Sequence, residues 1–576
     1  MISKKLLKYI PLIALGLIVL SAGLILYFIL RYGVDFPYMD QWEYVGFFDH
    51  LSKGTLTFHE LFKLQGEYRQ LFPNIIYVSL GWLTHWNVKY EMIVTFFLAC
   101  LVSFNIYRLV SYTIAGENWL KWVLFFVANL FIFSPIQYEN WLFGVQIEYF
   151  MPIACITTAM AIAFSNVKVS RKLFLCILLS TISTYSSVNG FLCWIVLLPV
   201  YYFSGTDRAF FKKWKVINIW LLGAATALAF YLIGYKKPDK FPSTSIAFSH
   251  PADALRYFLG ALGNPARIVH SLNHIIVVGG VLVSVFMALT MFIVWNSRRN
   301  KHLLQVSVVW IMLGMFSVMT AAMITVGRLG FGVYQSLASR YTSFTLYLVV
   351  STIFLSAIVI QHLAKGLRIN ILLKTVFTLL IAYIIYIKVD TYPNAITDLK
   401  NFHTNIEHGK AGLLLINHVF PAEYENKIYP GNFTELQRRA RVLDTLGYLR
   451  PKLVKKGPIQ KFEGQGSGTI DYGSFNKLTK INDTSYTASG FAMNPETKEP
   501  ADAVLLSYEN MFGKSYVYTL ENTDSLNWKI KFSIVFMPYD PIILRAWAFD
   551  GNTGKAYRLK GEYIINRQYK EQTVLY

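Results

Sequence analysis

The residues best able to do chemistry sit early in the chain, where carboxylates are set among aromatic rings. Asp35, Asp40 and Glu43 lie in YGVDFPYMDQWEY, and Glu67 and Arg69 follow in QGEYR. A carboxylate accepts the proton of a poorly nucleophilic hydroxyl when partial burial and a cationic or hydrogen-bonding neighbour set its pKa. Asp40 is the first candidate for such a base, Asp35 is the alternative, and Glu67 is the third acidic candidate. Phe36, Tyr38, Trp42 and Tyr44 suit stacking on sugar faces, and equally suit an aromatic belt at a membrane surface. Arg69 would bind a phosphate, or orient Glu67 or Asp40.

A second set stands further along. Arg328 and Arg340 bracket the segment RLGFGVYQSLASR between two apolar runs. Guanidinium stays charged and meets phosphate oxygens as a fork, so an Arg at each wall of a groove suits a phosphate-bearing ligand. It would also stabilise charge on a departing phosphate. The plainer reading is an Arg at a span end that snorkels to headgroups. Glu139, Asn140, Trp141, Gln146 and Asn189 lie at the rims of apolar segments, where polar groups are costly and tend to be functional or paired between helices. Trp42 and Trp141 are the candidates for shaping a sugar site. The histidines show no HExxH or similar spacing and the glycines form no phosphate loop, so no metal or other cofactor is expected.

The elements that must position these residues are membrane helices. The chain has 576 residues, 54% of them hydrophobic and 15% charged, far from an ordinary soluble domain. Apolar runs long enough to cross a bilayer recur up to residue 388. They give about eleven spans: 9–30, 91–112, 119–135, 144–165, 173–187, 190–204, 216–235, 274–295, 303–326, 341–361 and 370–388. Residues 71–86 read as a short re-entrant or interfacial helix, because counting them as a span would invert every later loop.

Charge fixes the expected orientation. Of 54 Lys and Arg, 31 precede residue 389, against 13 of the 33 Asp and Glu, so the excess belongs to the spans and argues against nucleic acid. The clusters Lys4/Lys5/Lys8, Arg108/Lys121, Lys168/Arg171/Lys172, Arg208/Lys212/Lys213/Lys215, Arg298/Arg299/Lys301 and Lys365/Arg368/Lys374 all fall on one side, which the positive-inside rule makes cytoplasmic. The first outer loop, 31–90, and the later polar segments then share the opposite face. The four cysteines lie in apolar runs and imply no disulfide framework.

The remainder is expected outside the cytoplasm. Residues 389–464 carry helical spacing, and 465–576 alternate apolar and polar residues between turn signals, as in a small β-sandwich. Gly464 to Gly468 reads as a hinge, and PADALRYFLGALG as an amphipathic surface helix.

With these residues placed, the chain resembles the GT-C class of integral-membrane glycosyltransferases, and within it the bacterial and phage serotype-converting O-antigen glucosyltransferases. DQWEYVGFFDHLSKGTLTFHELF followed by GEYRQLFP looks like the relatives' D-x-W, G-x-L and NEHR-x-x-P first loop, with the Asn and His of NEHR missing. ENWLFGVQ, SSVNG and GR with SRY look like their later outer motifs. The resemblance implies a sugar donor, glucose above all, on polyprenyl phosphate, a surface-polysaccharide acceptor such as O-antigen, and a bacterial inner membrane. It also implies a C-terminal domain in the periplasm and a functional link to a flippase and a polyprenyl-phosphate glycosyltransferase. Asp40 and Glu67 match acidic positions, and Arg69, Arg328 and Arg340 basic ones. An O-antigen ligase or polymerase and a lipid-linked glycan transporter are the alternatives.

Overall fold

The computed structural model describes residues 8–203, 214–236, 241–268, 271–363, 367–419, 428–429, 431–466, 471–523 and 525–566. Lys4, Lys5, Arg208, Lys212, Lys213 and Lys365 of the basic clusters, and part of the 464–468 hinge, lie outside them. The chain divides into two compact units, one of residues 1–33, 56–80 and 89–400, the other of 34–55, 81–88 and 401–576.

The first unit is helical. Among the described residues, seven helices are long and apolar enough to cross a membrane: Ile10–Tyr32, Lys89–Thr113, Asn118–Leu142, Gly144–Ala163, Leu272–Asn296, Lys301–Phe331 and Ser339–Leu363. The expected count of about eleven is not reached. Val169–Thr184, with 16 residues, rises only about 24 Å and falls short of a hydrocarbon core of about 30 Å. Val188–Phe203 and Val216–Leu232 are likewise short apolar helices. The eleventh expected span, 370–388, is the front of a 48-residue helix, Leu367–Leu414, whose later turns are polar. The boundary drawn at 388 thus falls inside one continuous helix, and the division between units comes after Lys400.

Burial ranks the spans. Ser339–Leu363 is 89% buried along its apolar window and is the central helix, whereas Leu272–Asn296, at 17%, leaves most of its apolar surface facing outward. Trp310 stacks on Phe354 at 4.0 Å and donates to Thr113 Oγ1 at 2.9 Å, locking three helices together. The amphipathic stretch forms the helix Pro251–Gly263. It packs so closely on Leu272–Ser297 that a Cβ on Gly279 would come 1.9 Å from Leu259 O, an approach only glycine allows.

In the second unit a 3₁₀ turn, Met39–Tyr44, and the helix Val45–Ser52 accompany the helix Phe433–Leu446. That helix starts at Asn432, whose side chain accepts the Glu435 N–H at 2.8 Å, and ends at Gly447, whose φ of 72° suits glycine. Seven strands follow: β1 (Gly473–Lys480), β2 (Ser485–Ala492), β3 (Ala503–Glu509), β4 (Ser515–Glu521), β5 (Asn527–Ser533), β6 (Ile542–Asp550) and β7 (Lys555–Ile565). They pair in the order β4-β3-β6-β7-β1-β2-β5, antiparallel except β7 with β1, as one barrel-like sheet. The expected sandwich of two sheets is not what this pairing gives. Alternation puts every second side chain inside whichever way a sheet closes, so it could not separate the two. Phe475, Ala488, Leu506, Trp528, Ile530, Leu544 and Leu559 share one core. Gly464 is no free hinge, since its N–H donates to Ala556 O at 2.9 Å and it packs on the Tyr557 ring.

Candidate functional site

Arg328 ends the helix Lys301–Arg328, and Arg340 lies in the turn Ser339–Tyr341 that begins the next span. Both take carboxylate partners. Arg328 Nη2 lies 2.8 Å from Glu67 Oε2 and donates to Tyr68 Oη at 2.8 Å, with the guanidinium 4.5 Å from the Phe241 ring centroid. Arg340 Nη1 donates to Glu139 Oε1 at 3.0 Å and its main-chain N–H to Glu139 Oε2 at 2.9 Å. The Glu139 N–H donates to Ser339 Oγ and Asn140 Nδ2 to Arg340 O, so Glu139 and Asn140 are tied to Ser339 and Arg340.

The two pairs share a group of phenols. Tyr68 lies in the field of Arg328, Glu67, Glu148 and Tyr341, and Tyr149 in that of Arg340, Glu148, Tyr341 and Tyr68. Glu148 is buried and accepts a hydrogen bond from Gln70 Nε2. Sequence reasoning missed Glu148, Tyr68 and Tyr149. Glu148 stood two residues past Gln146, and a carboxylate in the first turn of a span was signal enough. It also missed Arg267, which meets Asp398 at 3.3 Å, and Lys388, which donates to Pro265 O and lies 4.2 Å from the Phe131 ring. Tyr138 links this group to the Arg340–Glu139 pair electrostatically.

Other expected residues are placed differently. The Arg69 guanidinium is buried and donates to three main-chain carbonyls, of Tyr231 at 2.8 Å, Phe62 at 2.8 Å and Ile233. It therefore ties loop to helix end instead of presenting a fork to a phosphate. Trp141 is fully buried, donating to Ser134 O at 2.9 Å, and offers no face to a sugar. Gln146 and Asn189 are also buried. Gln146 Oε1 and both amide atoms of Asn189 have no hydrogen-bond partner among the described residues, and such groups cost about 1–3 kcal/mol each unless a ligand or water meets them.

Asp35, Asp40 and Trp42 belong to the second unit. Asp40 is exposed in the turn Met39–Tyr44, and Asp35 Oδ1 accepts the Val88 N–H at 3.0 Å. The Trp42 ring is buried edge-on to Phe36, so it too lacks an open face. Arg439 anchors this turn, donating to Trp42 O at 2.7 Å and meeting Glu43 at 2.9 Å and Glu435 at 2.6 Å. The Arg438 and Arg439 hydrogen bonds hold the Glu435 carboxyl down at about 2. A cleft of about 450 Å³ beside it is lined by Asp49, Gln437, Arg438 and Arg441. Elsewhere in the unit, burial and the neighbouring Glu407 push Asp502 up to about 7. Among the described residues no group of three or more His, Cys, Asp or Glu is placed to hold a metal ion. No family model, no curated protein and no solved structure matches this chain.

Proposed function

We propose that the protein is a membrane glycosyltransferase, transferring a sugar, glucose in the first instance, from a polyprenyl-phosphate donor to a cell-surface polysaccharide on the outer face of a bacterial inner membrane. The observation that carries this reading is the pair of arginines, Arg328 and Arg340, at facing ends of consecutive apolar helices, each balanced by a carboxylate around common phenols. A guanidinium already neutralised by Glu67 or Glu139 is tolerated at a membrane rim without ligand. A lipid-linked phosphate can exchange with the carboxylate, because both offer paired oxygens to the fork. Asp40 is the assigned proton acceptor: its carboxylate lies exposed in the turn Met39–Tyr44. Arg69 acts as a positioning residue for the loop that carries Glu67 and Tyr68.

The test is reconstituted protein supplied with polyprenyl-phosphate glucose and isolated polysaccharide acceptor. Transfer of the sugar by the wild type, and its loss in Asp40→Asn protein that inserts and purifies normally, is the expected result. An Asp40→Asn protein with wild-type turnover removes the base assignment. Activity only with a diphosphate-linked glycan points to a ligase or polymerase. Passage of a lipid-linked glycan across the bilayer without a new glycosidic bond points to a transporter.

A further inference from the structure

The two ends of the C-terminal sheet differ in character. The β1–β2 turn, the β3–β4 turn and the β5–β6 loop meet at one end, where the Ile534 N–H donates to Thr484 O at 2.8 Å and the Tyr508 ring lies 6.0 Å from that of Tyr539. β7 finishes there too, with Ile565 opposite Ile542. At this end Met511, Phe512 and Phe536 are 79%, 79% and 84% exposed, and Ile481, Val535 and Ile564 about half exposed. In the turns at the opposite end, among the described residues, Leu526 at 37% is the one large apolar side chain left open. Single exposed apolar residues need no explanation, but a rim of them confined to one end does.

What lies behind the rim identifies its occupant. Tyr508, Tyr516 and Tyr539 form a half-buried layer, and such amphipathic rings favour the headgroup level of a bilayer. Lys514 follows Phe512 closely, and Lys531 and Lys529 run back from Val535 on the outer face of β5, alternating with buried Ile530 and Phe532. None of these lysines has a carboxylate partner among the described residues. A glycan would need hydrogen-bonding groups between the rings. The turn asparagines instead accept from backbone within their turns, Asn482 Oδ1 from the N–H groups of Thr484 and Ser485 and Asn510 Oδ1 from those of Phe512 and Lys514. Apolar tips come first with Lys514 beside them, tyrosines next, and Lys531 and Lys529 behind, an order that suits acyl chains, the interfacial region and anionic phosphates.

We propose that this end of the sheet docks on an anionic lipid bilayer surface, with Phe512 and Phe536 dipping below the headgroups and Lys514, Lys529 and Lys531 meeting lipid phosphates. The inference is independent of the glycosyltransferase reading. The apolar helices of the same chain keep a bilayer within reach, so shallow insertion suffices to hold the contact.

Full-length protein carrying Phe536→Cys, labelled with an environment-sensitive fluorophore, is reconstituted into vesicles containing phosphatidylglycerol, with and without nitroxide-labelled lipid. Glu496→Cys, exposed at the opposite end, is the reference, and the labelled parent protein supplies the blank for the native cysteines. At position 536 emission moves to shorter wavelength and nitroxide lipid quenches it about twofold or more, while position 496 stays unquenched. Adding Lys529→Glu and Lys531→Glu, both at exposed positions of β5, reduces the quenching several-fold, as does replacing phosphatidylglycerol by a zwitterionic lipid. Equal, negligible quenching at 536 and 496 in anionic vesicles overturns the proposal and leaves a protein partner or a glycan as the occupant. Quenching at 536 that ignores both the charge reversal and the lipid charge overturns the lysine–phosphate part.

Discussion

The pair Glu67–Arg328 allows a quantitative test, because stability and binding should separate. The side chains are 13% and 14% exposed with an N–O distance of 2.8 Å. Two charges about 4 Å apart at an effective dielectric of about 20 attract by about 4 kcal/mol, before desolvation is charged against them. Removing one member of a buried pair costs about 3–5 kcal/mol, and the residual exposure here argues for the lower end. Arg328→Met is therefore expected to destabilise the purified protein by about 3 kcal/mol, and Glu67→Gln by somewhat less, since Arg328 keeps Tyr68 as an acceptor. In the double variant no charge is stranded, the loss shrinks to about 1 kcal/mol, and the cycle returns a coupling of at least about 2 kcal/mol. Unfolding midpoints in mixed detergent micelles measure it. Sugar transfer should remain absent in the double variant although stability returns, because the phosphate ligand is still missing. Single variants that each cost under about 0.5 kcal/mol and add without coupling would make the contact a screened surface pair and refute the reasoning.

Other expectations follow from the same geometry. Arg69→Lys keeps the charge but cannot reach three carbonyls with one ammonium. It should lower stability by about 2 kcal/mol and loosen residues 62–70 to protease, while Arg69→Ala does so more severely. Asp502 has its pKa raised to about 7 in the folded protein, against about 3.9 unfolded. Its protonated form is the one the fold prefers, so its contribution is full below about pH 4, falls as pH rises to about 7, and is constant beyond. The wild-type thermal midpoint should drop between pH 5 and pH 8. Asp502→Asn should flatten that slope and gain on the order of a few kcal/mol at pH 8, and an unchanged slope removes the argument.

How much of this was legible in the sequence depends on range. Local signals were carried by composition and spacing: the amphipathic helix Pro251–Gly263, the strands beyond 473 and the core spans. Span number was not, because an apolar run of 16 residues and one of 25 look alike until the helix ends are known. Sheet closure was hidden for a different reason, since period-2 alternation reports which face is inside and nothing about which strands are neighbours. The arginines show the same limit at the site. Arg69 and Arg328 looked equivalent as phosphate ligands, both beside an apolar run. What separates them is the partner each met on folding. The carbonyls of Phe62, Tyr231 and Ile233 are fixed parts of the backbone, and a phosphate cannot displace three of them without opening the loop. The carboxylates of Glu67 and Glu139 sit on rotatable side chains, so Arg328 and Arg340 can change partners at the cost of a rotamer.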